Sequence, residues 1–337
     1  MKAVAYSESL AIDDSRALQD VELPEPVPGP RDLLVEVRAI SVNPVDTKVR
    51  RNTQPETGQP KVLGWDVAGV VVGVGSEVSL FKAGDEVFYA GSIARAGGNS
   101  ERHLVDERIV GHKPQSLGFA EAAALPLTAI TAWELLFERL QLVEGQGAGQ
   151  QLLIVGAAGG VGSIMLQLAR QLTEVTVIAT ASRPATQTWA RELGAHHVVD
   201  HSQPLHAELQ RAGLASVSHV ASLTQTDQHF DQLVEALTPQ GRLALIDDPA
   251  QPLDVMKLKR KSLSLHWELM FTRSLFETPD MIEQHHLLQR VSQLVDQGVL
   301  RTTLGEHFGT INAANLRRAH ALLESGKAKG KIVLEGF

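Results

Sequence analysis

The chain has 337 residues, 43% of them hydrophobic and 21% charged, with a formal net charge of −8. At about 150 residues per domain this suggests two domains with enough apolar material for full cores, which excludes wholesale disorder. The acidic balance argues against a nucleic-acid partner, which calls for a concentrated basic face. There is no cysteine, so disulfides, thiolate zinc sites, iron–sulfur clusters and cysteine nucleophiles are all removed.

No apolar run approaches the ~18 residues of a membrane span. The opening Met1–Tyr6 lacks the long apolar region of a signal peptide. A cytoplasmic protein with no membrane partner is the expectation. The densest basic run, Lys257, Lys259, Arg260 and Lys261, reads as a solvated strand edge or loop.

In chain order, residues 1 to about 126 are rich in Gly, Pro and Val. Strands are predicted over Leu33–Ile40, Asp66–Val74 and Asp85–Ala90, punctuated by turns such as Pro28-Gly29-Pro30 and Ala83-Gly84. Short strands with regular breaks suggest a barrel or sandwich. Ala120–Leu136 is Ala/Leu-rich and predicted helical, interrupted at Pro126. Strands and helices then alternate. Strands are expected at Leu152–Val155, Val175–Thr180, His197–Val199, Val217–Ser222 and Arg242–Ile246. Helices are expected at Val161–Leu172, Ala185–Leu193 and Asp227–Leu237, the last ending at Thr238-Pro239. This alternation argues for a parallel sheet with right-handed crossovers. The remainder reads as helices at Met281–Gln297 and Asn312–Ser325 and a final strand, Lys331–Glu335.

The most informative segment is Leu152-Leu153-Ile154-Val155-Gly156-Ala157-Ala158-Gly159-Gly160-Val161-Gly162. A buried strand enters a glycine turn from which a helix starts. Gly159 lets the backbone approach a pyrophosphate, Gly162 lets the helix lie close to the strand, and the N–H groups at Gly160 and Val161 face the phosphates. Ala157 stands where the first glycine of the G-x-G-x-x-G fingerprint would be. An NAD site wants a carboxylate at the end of the next strand, about 20 residues on. That segment reads Ala179-Thr180-Ala181-Ser182-Arg183-Pro184. Ser182 can hydrogen-bond and Arg183 can pair with a 2′-phosphate, so NADPH is the expected cofactor. The alternative is that Arg183 is an ordinary exposed loop charge.

The chain resembles the quinone oxidoreductase (zeta-crystallin-like) branch of the medium-chain dehydrogenases/reductases, in the subgroup often labelled zinc-type alcohol dehydrogenase-like. The resemblance covers essentially the whole chain. It rests on Asn43-Pro44-Val45-Asp46, Gly64-Trp65-Asp66-Val67-Ala68-Gly69, Leu127-Thr128-Ala129-Ile130-Thr131-Ala132-Trp133, and the stretch from Gly149-Gln150 through the glycine turn to Gln167 and Arg170. It implies an α/β protein: a Rossmann doubly wound parallel sheet plus a GroES-like β-rich catalytic domain. The catalytic domain would be residues 1–126 completed by 268–337, and the NADPH-binding domain residues 127–267. The active site would lie in the cleft between them. Members commonly form homodimers through the Rossmann sheet edge, which here falls near Ser262–Phe271.

Zinc-dependent relatives use two cysteines and the His of a Gly-His-Glu motif. Here the first cysteine's position falls within Asn43-Pro44-Val45-Asp46, the His motif reads Gly64-Trp65-Asp66, no cysteine exists anywhere, and the four-cysteine zinc lobe is missing. Asp66 alone falls short of the about three protein ligands of a catalytic site. Among the 13 histidines, the adjacent pairs His196-His197 and His285-His286 point in different directions on a strand or helix and read as surface or partly packed. No metal is expected.

Without a Lewis acid nothing lowers an alcohol's pKa, so hydride addition to an already electrophilic acceptor is the expected chemistry, with a quinone or an α,β-unsaturated carbonyl as the small-molecule partner. By resemblance Asn43 and Thr128 lie at the nicotinamide and substrate; otherwise they are a turn residue and a helix-packing hydroxyl. Relatives often carry a tyrosine after Asn-Pro-Val, where Thr47 and Lys48 stand here. His201 falls where some relatives set a tyrosine against the adenosine phosphate, or is a loop histidine. Phe271, Arg273 and Lys331 resemble cofactor-side residues, with core packing or surface charge as the alternative. An NADPH-binding structural or regulatory protein with only incidental reductase activity is the competing reading.

Overall fold

Alternating burial along the long third strand and a glycine-broken apolar fifth strand already make one face of a sheet. The computed structural model describes residues 1–337 and divides into two units, Met1–Ile130 with Phe271–Phe337, and Thr131–Met270. The first segment holds β1 (Lys2–Tyr6), β2 (Gln19–Glu22), β3 (Asp32–Val42), α1 (Pro44–Asn52), β4 (Lys61–Val62), β5 (Val67–Val74), β6 (Glu86–Tyr89), β7 (Arg102–Asp106), β8 (Val110–His112), α2 (Phe119–Ala123) and α3 (Pro126–Trp133). A π-helical turn, Glu134–Arg139, continues α3. The second unit follows with β9 (Gln151–Val155), α4 (Gly160–Leu172), β10 (Thr176–Thr180), α5 (Pro184–Glu192), β11 (His197–Val199), α6 (Leu205–Arg211), β12 (Val217–Ser222), α7 (Thr226–Ala236), β13 (Leu237–Leu245) and β14 (Ser264–Trp267). The chain ends with α8 (Thr272–Phe276), α9 (Glu283–Asp296), β15 (Leu304–His307), α10 (Ala313–Glu324) and β16 (Lys331–Glu335).

The first unit is β-rich. Its larger sheet runs β15-β16-β3-β5-β6-β8, with β7 also on β3, and a smaller one runs β2-β1-β4. The last strand closes the larger sheet. β16 pairs antiparallel with β3, Ile332 opposite Val42 and Val333 opposite Ser41. That register sets Lys331 beside the end of β3, where Asn43 begins α1.

The second unit is a six-stranded sheet in the order β11-β10-β9-β12-β13-β14, and every pairing is parallel. Counted from β9 this is 3-2-1-4-5-6, the doubly wound dinucleotide-fold order, whose direction reverses beside the first strand. Leu153, Ile178, Val220, Leu233 and Leu243 are fully buried in its core, and each such side chain contributes roughly 1.5–3 kcal/mol.

Three details refine the expectations. β13 starts at Leu237 rather than Arg242, because Thr238–Gly241 forms an irregularity in the strand, with Gln240 at φ 64°. The basic run, expected as a solvated strand edge or loop, is a 3-10 turn, Val255–Lys261, with Lys257, Lys259 and Arg260 exposed. Lys261 Nζ donates to the carbonyls of Val234, Glu235 and Leu237, placing a cation at the end of α7. And one helical stretch, Phe119–Arg139, is long and apolar enough to cross a membrane by length and composition, though 78% of its apolar window is buried.

Candidate active site

The glycine turn sits at the carboxyl end of β9. Gly156 turns the chain at φ 78°, and its N–H donates to Thr180 Oγ1 at the end of β10 over 3.1 Å. Gly159 is the N-cap of α4, and no side chain caps that helix. The first-turn N–H groups of Gly160 and Val161 are therefore left for an anion. A β-carbon on Gly162 would stand 2.5 Å from both the Cα and the carbonyl oxygen of Ala157. Only glycine lets α4 pack this tightly. Trp189 of α5 steadies the helix by donating to Ser163 Oγ over 2.8 Å.

Ser182 and Arg183 follow β10 directly. Ser182 is half-buried and Arg183 exposed. Arg183 is the N-cap of α5, with Pro184 starting the helix. His201 lies in the turn after β11. Its Nδ1 is buried without a hydrogen-bond partner, and its ring stands edge-on to His229 at 6.0 Å.

In the first unit the structure brings Asn43 and Lys331 into one buried polar centre with Asp66 and Asp46. Asn43 is the N-cap of α1, yet its side chain does not cap the helix. Instead Asn43 Nδ2 donates to Asp66 Oδ2 at 2.8 Å, and Asn43 Oδ1 accepts a short bond from Lys331 Nζ. Lys331 Nζ also donates to Asp66 Oδ2 at 2.9 Å and to the Val42 carbonyl at 3.1 Å. Its three N–H bonds are thus matched by three acceptors. Asp66 Oδ1 takes the Leu127 N–H at 2.7 Å, at the first turn of α3. Asp46 does the capping: its carboxylate accepts from the N–H of Asn43 at 2.6 Å and of Gly64 at 3.0 Å.

Burial raises the carboxyl of Asp66 against the pull of Lys331, Leu127 and Asn43. Every neighbour that reaches Asp66 is a donor, which suits its ionised form. Burial pushes Asp46 up to about 7; the Asn43 N–H and the Lys331 charge pull it down, and Asp66 adds repulsion.

The remaining candidates sit in the first unit as well. Thr128, buried, donates to Leu125 O at 3.1 Å, keeping its lone pairs. Phe271 packs edge-on against Trp65 at 6.2 Å, and Trp65 Nε1 donates to Ser92 O at 3.1 Å. Arg273 is held to Asp280 by Nε and Nη2, each at 3.0 Å. Sequence reasoning weighed Asp66 only as a metal ligand and passed over Asp46. The Asn-x-x-Asp spacing of a capping box was the available signal for Asp46.

Zinc does not fit this donor set. No group of three His, Cys, Asp or Glu is placed to hold a metal ion. Trp65 stands between Gly64 and Asp66, and both Asp66 oxygens are taken by donors from the chain.

Comparison with known proteins agrees with the topology. The alcohol dehydrogenase GroES-like domain family matches residues 29–133, and the zinc-binding dehydrogenase family matches residues 193–334. A quinone oxidoreductase of Pseudomonas aeruginosa PAO1 is 32% identical over 315 residues, 91% of this chain and 92% of that one. The crystal structure of a Rhizobium etli CFN 42 protein carrying a zinc-dependent alcohol dehydrogenase name superimposes with a TM-score of 0.96 and 59% identity, covering 100% of this chain and 98% of that one. Escherichia coli quinone oxidoreductase complexed with NADPH superimposes at 0.85 with 25% identity, over 99% and 100% of the two chains.

Proposed function

Because the chain belongs to the medium-chain dehydrogenase/reductase superfamily, in its quinone oxidoreductase-like branch, we propose that it is a zinc-independent NADPH reductase of quinones or α,β-unsaturated carbonyls. The observation that carries this reading is the uncapped N-terminus of α4 packed through Gly162 against Ala157, followed at the end of β10 by Ser182 and Arg183 with no acid.

NADPH, when bound, supplies a hydride, and the second hydrogen of the reduced acceptor arrives as a proton from water or a nearby donor. The rest is the work of the chain. The N–H groups of Gly160 and Val161 would hold the pyrophosphate at the positive end of α4. Gly159 and Gly162 leave no β-carbon in the way. Ser182 and Arg183 would take the 2′-phosphate, and an arginine there favours the phosphorylated nucleotide by charge-assisted bonds. His201, with its unpartnered Nδ1, would add a contact on the adenosine side, and Phe271 and Arg273 are assigned to the cofactor's remaining length, whereas Lys331 directs its ammonium at Val42, Asn43 and Asp66. Asn43 and Thr128 are assigned to the acceptor side. Support for that pairing comes from Asp66, whose two oxygens reach the Asn43 amide and the N–H next to Thr128.

A conjugated acceptor needs no Lewis acid for hydride addition, which agrees with a donor set unsuited to zinc. A homodimer is part of the proposal. β14 is an edge strand paired only with β13, and its last residue Trp267 and Leu269 just beyond it are 54% and 51% exposed. Such an edge invites a second copy. Steady-state assay of NADPH oxidation with benzoquinone and with an enone tests the reading. Tight NADPH binding with no acceptor-dependent oxidation would count against it.

A further inference from the structure

We propose that Asp66 and Lys331 are positioning residues, which fix the Asn43 amide and the first turn of α3 as one rigid group. This rests on the reductase reading above. Hydrogen-bond capacity fixes what Lys331 can reach. An ammonium has three donors and no acceptor, and Lys331 spends all three on Val42 O, Asn43 Oδ1 and Asp66 Oδ2. It is 3% exposed, so it has neither a free donor nor a path for a phosphate. A lysine on the cofactor would need both. Its charge is instead directed inward.

The consequence for Asn43 is a single allowed orientation. The amide oxygen must face the ammonium and the amide nitrogen must face the Asp66 carboxylate, since a flip would set two donors and then two acceptors against each other. Asp66 carries the same constraint onward through Leu127 N–H. An acidic oxygen there also suits the positive end of α3. Thr128, the following residue, is thereby placed. The contacts join residues as far apart as Asp66 and Lys331, 265 positions in sequence, so local structure alone cannot supply the same rigidity. Asp46 completes the centre by holding the N–H groups of Asn43 and Gly64.

The test compares the double variant Asp66→Asn/Lys331→Gln with Lys331→Arg and the unaltered protein. Removing both members of a buried ion pair together is far better tolerated than removing one, so the double variant should fold. Four quantities are read: the thermal midpoint, the NADPH dissociation constant, kcat with benzoquinone, and amide hydrogen exchange across the first turn of α3. In the double variant, kcat should fall about tenfold or more and exchange should rise by about tenfold, the scale of one lost charge-assisted bond. NADPH affinity should stay within about threefold, because no donor to the cofactor is lost. Lys331→Arg keeps the cation and should restore most of the protection. Equal losses of NADPH affinity and kcat would make Lys331 a cofactor ligand and overturn the proposal. Unchanged exchange and kcat would overturn it too, and so would unfolding of both variants, which would make the pair purely structural. If the unaltered protein turns over no acceptor, the reductase reading fails by itself, and the exchange rates still decide whether the pair pins Asn43 and α3.

Discussion

Gly162 and Ala157 are in contact so close that a β-carbon on the glycine would lie 2.5 Å from the alanine Cα. The neighbour is backbone, so it has no rotamer through which to yield. Gly162→Ala should therefore destabilise the protein by roughly 1–3 kcal/mol despite alanine's better helix propensity. It should also push α4 off the phosphate position and weaken NADPH binding more than about tenfold, since bound phosphates depend on that helix terminus. Urea unfolding and fluorescence titration check the two effects. Affinity equal to that of the unaltered protein would dissociate this turn from the nucleotide.

Arg183→Ala should discriminate between the two nicotinamide cofactors. A charge-assisted bond to a phosphate is worth about 1.5–3 kcal/mol, so NADPH affinity should fall about 10- to 100-fold. NADH, which lacks the 2′-phosphate, should lose little. An unchanged NADPH to NADH preference would remove Arg183 from the site.

His320 gives a pH prediction. Its ring is fully buried and neither nitrogen has a hydrogen-bond partner. Burial first, then the Arg50 charge, lowers it to about 3. The unfolded chain therefore takes up the proton near the ordinary histidine pKa, while the folded one resists. Stability from this residue is complete above pH about 6.5 and is lost as pH falls toward the folded value. His320→Leu lacks that loss. Its stability relative to the unaltered protein should be about 2 kcal/mol more favourable at pH 5 than at pH 8. A difference independent of pH in urea unfolding would contradict the assignment.

How much could be read from the sequence depended on how local each signal was. The nucleotide turn was legible because a buried strand, a glycine cluster and a periodic helix are contiguous from Leu152 to Leu172. The parallel sheet followed from the strand–helix alternation, although strand order was not readable until the pairings were seen. The alternative for Asn43-Pro44 is a turn, which both residue types favour. The dipeptide starts α1, with the cap supplied three residues later by Asp46. Thr238–Gly241 carries helix-stop residues and reads as a break, yet the parallel sheet absorbs it within β13 as an irregularity against β12. The buried centre was the least legible feature. Resemblance singled out Asn43 and Lys331 separately, but nothing local to either says that they meet at Asp66, because β16 pairs with β3 across almost the whole chain.

The edge strand makes its own prediction. Trp267→Lys puts a charge on the one exposed residue of β14, and charged edges resist pairing. Sedimentation should show a dimer for the unaltered protein and a monomer for the variant. A monomer in both cases, or a dimer in both, would exclude this edge as the interface.

The most direct measurement is NADPH oxidation by protein dialysed against a strong chelator, with benzoquinone or an enone as acceptor. The account predicts turnover that survives metal removal, is far slower with NADH, and does not rise when zinc is added. Loss of activity on chelation with recovery on zinc addition would contradict it, as would a protein that holds NADPH tightly and reduces neither acceptor.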